Sequence, residues 1–120
     1  MLQRVQHKYP TVRTFHTDIV SPFLASTSLD AIFVNGMYAN TADKPAACGN
    51  AARMLRSGGR LVVSHLEGRA FVDQLRATSD LFIESLPTKE EFEALLEPLG
   101  LKVIAYRDET KLYLMVARKT

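Results

Sequence analysis

Short apolar runs separated by stretches of helical periodicity make up most of this 120-residue chain. Residues Ala31 to Val34 and residues Arg60 to Ser64 are two such runs, each with turn-forming residues beside it. We interpret the first as a strand covered on both faces, because a half-exposed strand would alternate apolar and polar side chains. We interpret the second as a further buried strand. Together they predict a sheet that lies between helices.

Four stretches predict helices. The chain opens inside a helix that Pro10 ends, and a second helix is predicted from about Asp43, its N-cap, to Arg56, with Gly58-Gly59 as its stop. A shorter helix is predicted near Ala70 to Ala77. The last one follows a capping box in which Thr88 and Glu91 satisfy free amides of the first turn. The apolar positions that carry these predictions are Leu2, Val5 and Tyr9; Ala47, Ala51, Met54 and Leu55; Phe71 and Leu75; and Phe92, Leu95, Leu96 and Leu99.

Further strands are predicted near both ends of the chain. Thr11 to Phe15 precedes His16-Thr17-Asp18, and the segments Leu101 to Tyr106 and Leu112 to Ala117 flank a turn at Asp108-Glu109-Thr110. The last two segments predict an antiparallel hairpin. Strands that alternate with helices favour right-handed crossovers and a parallel arrangement. The predicted fold is therefore α/β, with a mainly parallel sheet and a carboxyl-terminal antiparallel hairpin.

Composition and charge limit the kinds of binding partner that we expect. The chain is 47% hydrophobic and 23% charged, with a net charge of +2 and no basic run, so we expect neither nucleic acid nor a membrane surface as partner. A small molecule or another protein stays open. The single cysteine, Cys48, excludes an internal disulfide, and no His or Cys spacing indicates a metal site. No apolar run approaches the ~20 residues of a membrane span. We expect a soluble, cytoplasmic protein.

Several of these segments, in order, resemble a known family. The sequence "DAIFVNGMYAN…AARMLRSGGRLVVSH…LPTKEEFEALLEPLGLKVI…LYLMVARK" is similar to the carboxyl-terminal part of class I S-adenosylmethionine-dependent methyltransferases. "LRSGGRLVVS" resembles the helix end, glycine turn and fifth strand of that family. The terminal hairpin resembles its sixth and seventh strands, of which the last inserts antiparallel between its neighbours. The resemblance implies a truncated Rossmann-like sheet and S-adenosylmethionine as cofactor.

Two parts of the family's cofactor site have no counterpart here. The family's glycine-rich loop after the first strand and the acidic residue after the second are absent, since the six glycines contain no GxG and each is explained as a turn or helix stop. "MLQRVQHKYP" resembles the helix after the second strand. We therefore expect residues 1–120 to form one partial methyltransferase-like domain. Alternatively, Met1 is not the native start.

The resemblance assigns cofactor contacts to two loops at the carboxyl ends of strands. Asp18 matches the acid that accepts a hydrogen bond from the adenine amino group, and its alternative is an ordinary turn aspartate. Asn35, Gly36, Met37 and Tyr38 match the loop that contacts cofactor or substrate. The alternative for Asn35-Gly36 is a turn that favours positive φ, and the alternative for Tyr38 is packing. "NGMY" is not the "NPPY" of the amino-methylating branch.

His65 is the candidate catalytic residue. It follows the second strand and could act as general base for a hydroxyl substrate, oriented by Glu67 or Ser64. Its alternative is an ordinary surface or hydrogen-bonded histidine. The Asp108-Glu109 pair is interpreted as solvated turn residues.

Two functions follow from different classes of protein. The first is a methyltransferase that acts on a small molecule, although a chain without half of the cofactor site is doubtful as a catalyst by itself. The second is a non-catalytic, homo-oligomeric binding or assembly module. An apolar strand left at a sheet edge recruits another chain. We therefore expect a homodimer or larger assembly through the region of Ala31 to Val34.

Overall fold

The computed structural model describes Arg4, His7, Lys8, Tyr38 and residues 27–36, 43–78 and 83–120. Its elements in chain order are β1 (Leu29–Asn35), α1 (Lys44–Met54), β2 (Leu55–His65), α2 (Arg69–Thr78), α3 (Lys89–Leu96), a 3-10 turn (Glu97–Leu99), β3 (Leu101–Glu109) and β4 (Leu112–Lys119). Arg4, His7 and Lys8 are helical. The predicted strand Thr11 to Phe15 lies outside the described residues.

The four strands form one mixed sheet in the order β1-β2-β4-β3. β1 pairs with β2 in parallel, whereas β4 runs antiparallel to both β2 and β3. The last strand therefore inserts between two earlier ones, as the resemblance implied. The α/β class and the carboxyl-terminal hairpin are confirmed, with a turn at Thr110-Lys111 and strands that extend beyond the predicted ends.

The junction of α1 and β2 corrects one predicted boundary. The helix begins as predicted, with Asp43 accepting a hydrogen bond from the Ala46 amide at 3.1 Å, but it ends at Met54 and not at Arg56. Leu55 is already extended and is the register partner of Leu29, and the next register pair joins Ala31 to Arg60. Because β2 has three more residues than β1 between these pairs, Gly58-Gly59 belongs to a bulge inside the strand.

Alternate residues of the strands divide the sheet into two faces. On the core face, Leu61, Val63, Met115 and Ala117 are 0 to 2% exposed and pack with residues of the helices, among them Phe92 of α3. Ile32 and Val34 of β1 also contact this cluster, whereas Phe33 between them is 66% exposed. The expectation that Ala31 to Val34 is covered on both faces is therefore wrong. In the part of the chain that is described, the core lies on one side of the sheet.

The ends of α3 follow from its sequence. Thr88 Oγ1 accepts from the Glu91 amide and the Glu91 carboxylate accepts from the Thr88 amide, at 3.2 and 3.1 Å. The predicted capping box is confirmed, and it orients Phe92 and Leu96 into the core. Gly100 stops the helical region with φ at +79°, a conformation that favours glycine. Among the described helices, none is long and apolar enough to cross a membrane.

Candidate functional site

The carboxyl ends of β1 and β2 meet at one edge of the sheet, which we call the rim. Asn35 is the register partner of Ser64, and the Ser64 hydroxyl donates to Asn35 Oδ1 at 2.5 Å. The Gly36 amide donates to the Ser64 carbonyl oxygen at 2.8 Å, which extends the pairing by one residue. Gly36 then turns the chain away with φ at +68°. The amide side chain and the glycine that follow the apolar run therefore fix where the next loop leaves the sheet.

Tyr38 returns that loop to the core. Its ring is 4% exposed, with its centroid 5.2 Å from that of Phe92, and its hydroxyl is 3.6 Å from Cys48 Sγ. Burial raises the pKa of the Tyr38 hydroxyl far above its usual range, so the group stays neutral. A ligand could touch little of this ring in the present arrangement. The packing alternative accounts for these contacts, and a cofactor contact by Tyr38 stays a prediction.

An ion pair formed by the first residue of α1 also contacts the Tyr38 ring of this loop. Lys44 Nζ lies 3.0 Å from Glu84 Oε1 and 5.5 Å from the centroid of the Tyr38 ring, and its side chain is only 11% exposed. An ammonium group so far removed from water requires such partners. The pair joins the start of α1 to the segment before α3. Through the contact of Lys44 with the Tyr38 ring, it also links the loop after β1 to that segment.

His65 is held by the backbone of Glu67. The Glu67 amide lies 3.2 Å from Nδ1, and the Glu67 carbonyl oxygen lies 3.1 Å from the same nitrogen. If the proton is on Nε2, Nδ1 accepts from the amide; if the proton is on Nδ1, it donates to the carbonyl and Nε2 is left to accept a proton. The expected orienting groups are thus corrected, because the backbone of Glu67 takes this role and Ser64 Oγ is bonded to Asn35.

Asp108 joins the hairpin to the start of α2. Its Oδ1 accepts from the Arg69 amide at 2.9 Å, a contact that the interpretation as a solvated turn residue did not include, although Asp108 is exposed as expected. A Cβ atom at Gly68 would lie closer than 3.0 Å to Asp108 Oδ1 and to the Glu109 carbonyl oxygen. Gly68 is therefore required by the close approach of two backbones, which is neither a turn nor a helix stop. No local sequence signal pairs residues 40 positions apart.

The segment before α3 is anchored at Pro87. The hydroxyls of Tyr106 and Tyr113 both donate to the Pro87 carbonyl oxygen, at 2.9 and 2.6 Å, and their rings meet edge to face with centroids 5.6 Å apart. Burial raises the pKa of both hydroxyls, so both remain donors.

Beside the rim, a cavity of about 420 Å³ lies between Glu67, Phe71 and the hairpin turn. His65 itself does not line this cavity, but Glu67, whose backbone contacts the His65 ring, does.

The structure thus brings together some of the candidate site residues. Asn35 and Gly36 contact Ser64, and His65 follows Ser64 directly on β2. Tyr38 belongs to the same loop but lies in the core. Asp18 and Met37 lie outside the described residues, so their roles stay predictions.

The comparisons with known proteins agree with this architecture. A family model described as a methyltransferase domain matches residues 1–63, which is more than half of the chain. The chain therefore belongs to this family. The matched range contains Asp18 and the loop after β1, and it ends just before Ser64 and His65. No curated protein sequence matches the chain.

Solved structures extend the likeness beyond the matched range. The fold is similar to a SAM-dependent methyltransferase from Methanosarcina mazei, with a TM-score of 0.65 and 14% identity over 86% of this chain and 65% of that one. It is similar to a SAM-dependent methyltransferase and possible histamine N-methyltransferase from Thermotoga maritima. The TM-score is 0.74 and the identity 15%, over 98% of this chain and 70% of that one. It is also similar to geranyl diphosphate methyltransferase in complex with GPP and sinefungin. The TM-score is 0.74 and the identity 16%, over 98% of this chain and 58% of that one.

At these identities the likeness concerns the fold. The chain spans 58 to 70% of the lengths of these three proteins. Its fold is that of part of a class I S-adenosylmethionine-dependent methyltransferase.

Proposed function

We propose that this chain binds S-adenosylmethionine at the rim and takes part in methyl transfer to a small molecule. The observation that supports the proposal is the joined end of β1 and β2, where the Ser64 hydroxyl fixes the Asn35 side chain at 2.5 Å. In open α/β sheets, ligands bind beyond the carboxyl ends of the parallel strands. A side chain held in place there loses little conformational freedom when it contacts a ligand.

Each rim residue has a separate role in this proposal. Asn35 uses its carbonyl oxygen for Ser64, so its NH₂ group is the donor toward an acceptor atom of the cofactor. Gly36 lets the backbone approach the ligand without a side chain in between. His65, with the proton on Nδ1, would use Nε2 to accept the proton of an acceptor hydroxyl, and S-adenosylmethionine would supply the methyl group.

The described rim residues fit only part of the cofactor. One amide, one glycine and one half-buried imidazole line the rim, and the Tyr38 ring lies in the core. The carboxylate that the resemblance assigns to the adenine amino group is Asp18. The proposal therefore requires Asp18 to complete the site from the segment before β1.

Calorimetric titration of the purified chain with S-adenosylmethionine and with its demethylated product tests this function. We expect micromolar binding that is lost in Asp18→Ala and in Asn35→Ala. Glu97→Ala is the matched control, because Glu97 is exposed after α3, at the opposite end of the sheet from the rim. No heat at millimolar ligand, from a chain shown to be folded by circular dichroism, would contradict the proposal.

A second candidate function is a homo-oligomeric assembly module joined through Ala31 to Val34. The observation that favours it is Phe33, which is 66% exposed on the strand at one edge of the described sheet. Exposed apolar edge strands pair with other chains. Light scattering over a wide concentration range should then report a dimer that Phe33→Ser weakens. A monomer at every concentration would count against this candidate.

A further inference from the structure

The short loop between β2 and α2 links His65 to the hairpin turn. His65, Tyr113 and Asp108 form one row across β2, β4 and β3, because the register pairs align them. Side chains alternate along a strand, so His65 lies on the core face with Val63, and Ser64 between them lies on the opposite, outer face. The carboxylate of Asp108 therefore stands in the same row of the sheet as the candidate base, two strands away.

Two consecutive backbone amides of this loop donate hydrogen bonds to the hairpin. The Gly68 amide donates to the Thr110 carbonyl oxygen at 3.4 Å, and the Arg69 amide donates to Asp108 Oδ1 at 2.9 Å. Arg69 is the first residue of α2, and Gly68 before it has no side chain that could cap the helix. Asp108 therefore supplies the acceptor that an N-cap side chain would supply, at the helix end that favours a negative charge.

The first of these hydrogen bonds also orients a carbonyl group beside His65. The Glu67 carbonyl oxygen and the Gly68 amide belong to one planar, trans peptide unit, so they point in opposite directions. With its amide directed at Thr110, this unit presents its oxygen 3.1 Å from His65 Nδ1. The Glu67 amide, 3.2 Å from the same nitrogen, belongs to the preceding peptide unit. The orientation of the Glu67–Gly68 unit thus decides how well the carbonyl competes with that amide for Nδ1.

We infer that Asp108 is a positioning residue for His65. By holding the Arg69 amide, it keeps the neighbouring Glu67–Gly68 peptide unit turned so that the carbonyl oxygen accepts from Nδ1–H, and Nε2 is then the nitrogen that accepts a proton. The close approach of the two backbones at Gly68 leaves the loop little room for another orientation. The inference rests on the function proposed above, in which His65 acts as a base through Nε2.

Heteronuclear NMR of the His65 ring tests the inference, because the nitrogen shifts report which ring nitrogen carries the proton. Spectra are recorded on the purified chain without cofactor at about pH 8.5, at which an ordinary imidazole is neutral, and His65→Gln assigns the signals. We expect the Nδ1-protonated form to predominate in the wild-type chain. In Asp108→Ala its ratio to the Nε2-protonated form should fall at least about threefold, the effect of weakening one hydrogen bond. Asp108→Asn keeps an oxygen acceptor for the Arg69 amide and should restore the ratio.

Two further variants separate positioning from folding. Glu109→Ala removes the next carboxylate of the hairpin, which pairs with Arg107, and should leave the ratio unchanged. Asp108→Ser has a side chain too short to reach the Arg69 amide and should behave as Asp108→Ala does, so it replaces that variant should the alanine chain not fold.

Two results would overturn the inference. If Asp108 only caps α2, Asp108→Ala lowers the melting temperature and leaves the ring ratio unchanged. A wild-type chain in which the Nε2-protonated form predominates would overturn it as well. The ring measurement needs no cofactor, so a failure to bind S-adenosylmethionine contradicts the proposed function alone and is distinguished from a failure of this link.

Discussion

The core face and the outer face of the sheet are built from alternate residues of the same four strands, yet only the core face excludes solvent. Val63 is 1% exposed, whereas its neighbour Val62 is half-buried on the other side of the same strand. The difference arises because the buried residues of α1 and α3 pack with the core face. An apolar run in a strand thus indicates two faces that can be covered, and the surrounding elements decide how many are.

Two phenylalanines provide the largest test of this difference. Phe92 is 0% exposed in the core, and Phe33 is 66% exposed on the outer face. Phe92→Ala should lower the free energy of unfolding by about 3 to 5 kcal/mol through the cavity that it leaves. Phe33→Ala should change it by less than about 0.5 kcal/mol. Urea denaturation measures both, and equal losses would mean that the outer face is buried in solution.

Two neighbouring valines sharpen the comparison on a single strand. Val63→Thr places a hydroxyl group among core side chains and should cost about 1 to 3 kcal/mol. Val62→Thr leaves the hydroxyl on the outer face in contact with water, so we expect a change below about 0.5 kcal/mol. Thermal or urea unfolding of the two variants supplies the difference. Similar values for both would argue against a one-sided core.

The capping box of α3 allows a stability test on a helix that packs against the core face. Thr88→Ala removes the side chain that accepts from the Glu91 amide and should cost about 1 kcal/mol at neutral pH. A similar substitution at Thr120, which is exposed at the chain end and bonds only the Gly100 carbonyl, should cost less. A cost for Thr88→Ala no larger than that for Thr120→Ala would contradict the assignment.

The same cap makes a pH prediction. The backbone amide and the side chain of Thr88 hydrogen-bond the Glu91 carboxylate and lower its pKa. A carboxyl group with a lowered folded-state pKa adds stability above its unfolded pKa of about 4.3, and that stability is lost as the pH falls through the folded-state pKa. Wild type should therefore exceed Glu91→Gln in stability at pH 7 and approach it near pH 3. A gap that widens on acidification would contradict this sign.

A further test of the covered side is chemical. Cys48 is 2% exposed on the covered side, and burial raises the pKa of its thiol. Less thiolate and little access should slow its reaction with a disulfide reagent at pH 8 by at least about tenfold relative to the chain in urea. Equal rates would show that α1 opens readily from the sheet.

Much of the fold follows from local signals. The capping box at Thr88, the stop at Gly100 and the hairpin of β3 and β4 were all predicted, since each depends on residues close in sequence. The boundary of α1 was not, because the extension at Leu55 depends on pairing with Leu29. Likewise, sequence placed Asn35 and His65 at strand ends but could not show that Ser64 bonds one and that the Glu67 backbone holds the other.

By itself, the sequence determined the order of strands and helices, the family resemblance and the positions of the rim residues, because helical periodicity, caps and turn residues act over a few positions. Only the tertiary structure decided that Tyr38 anchors its loop in the core, that Asp108 joins the hairpin to α2, and that Arg60, Arg118 and Lys102 form one row. Arg69 and Asp108 are 39 positions apart in the sequence, and Arg60 and Arg118 are 58 apart. The placement of such distant residues depends on packing and strand register, which local sequence signals do not specify.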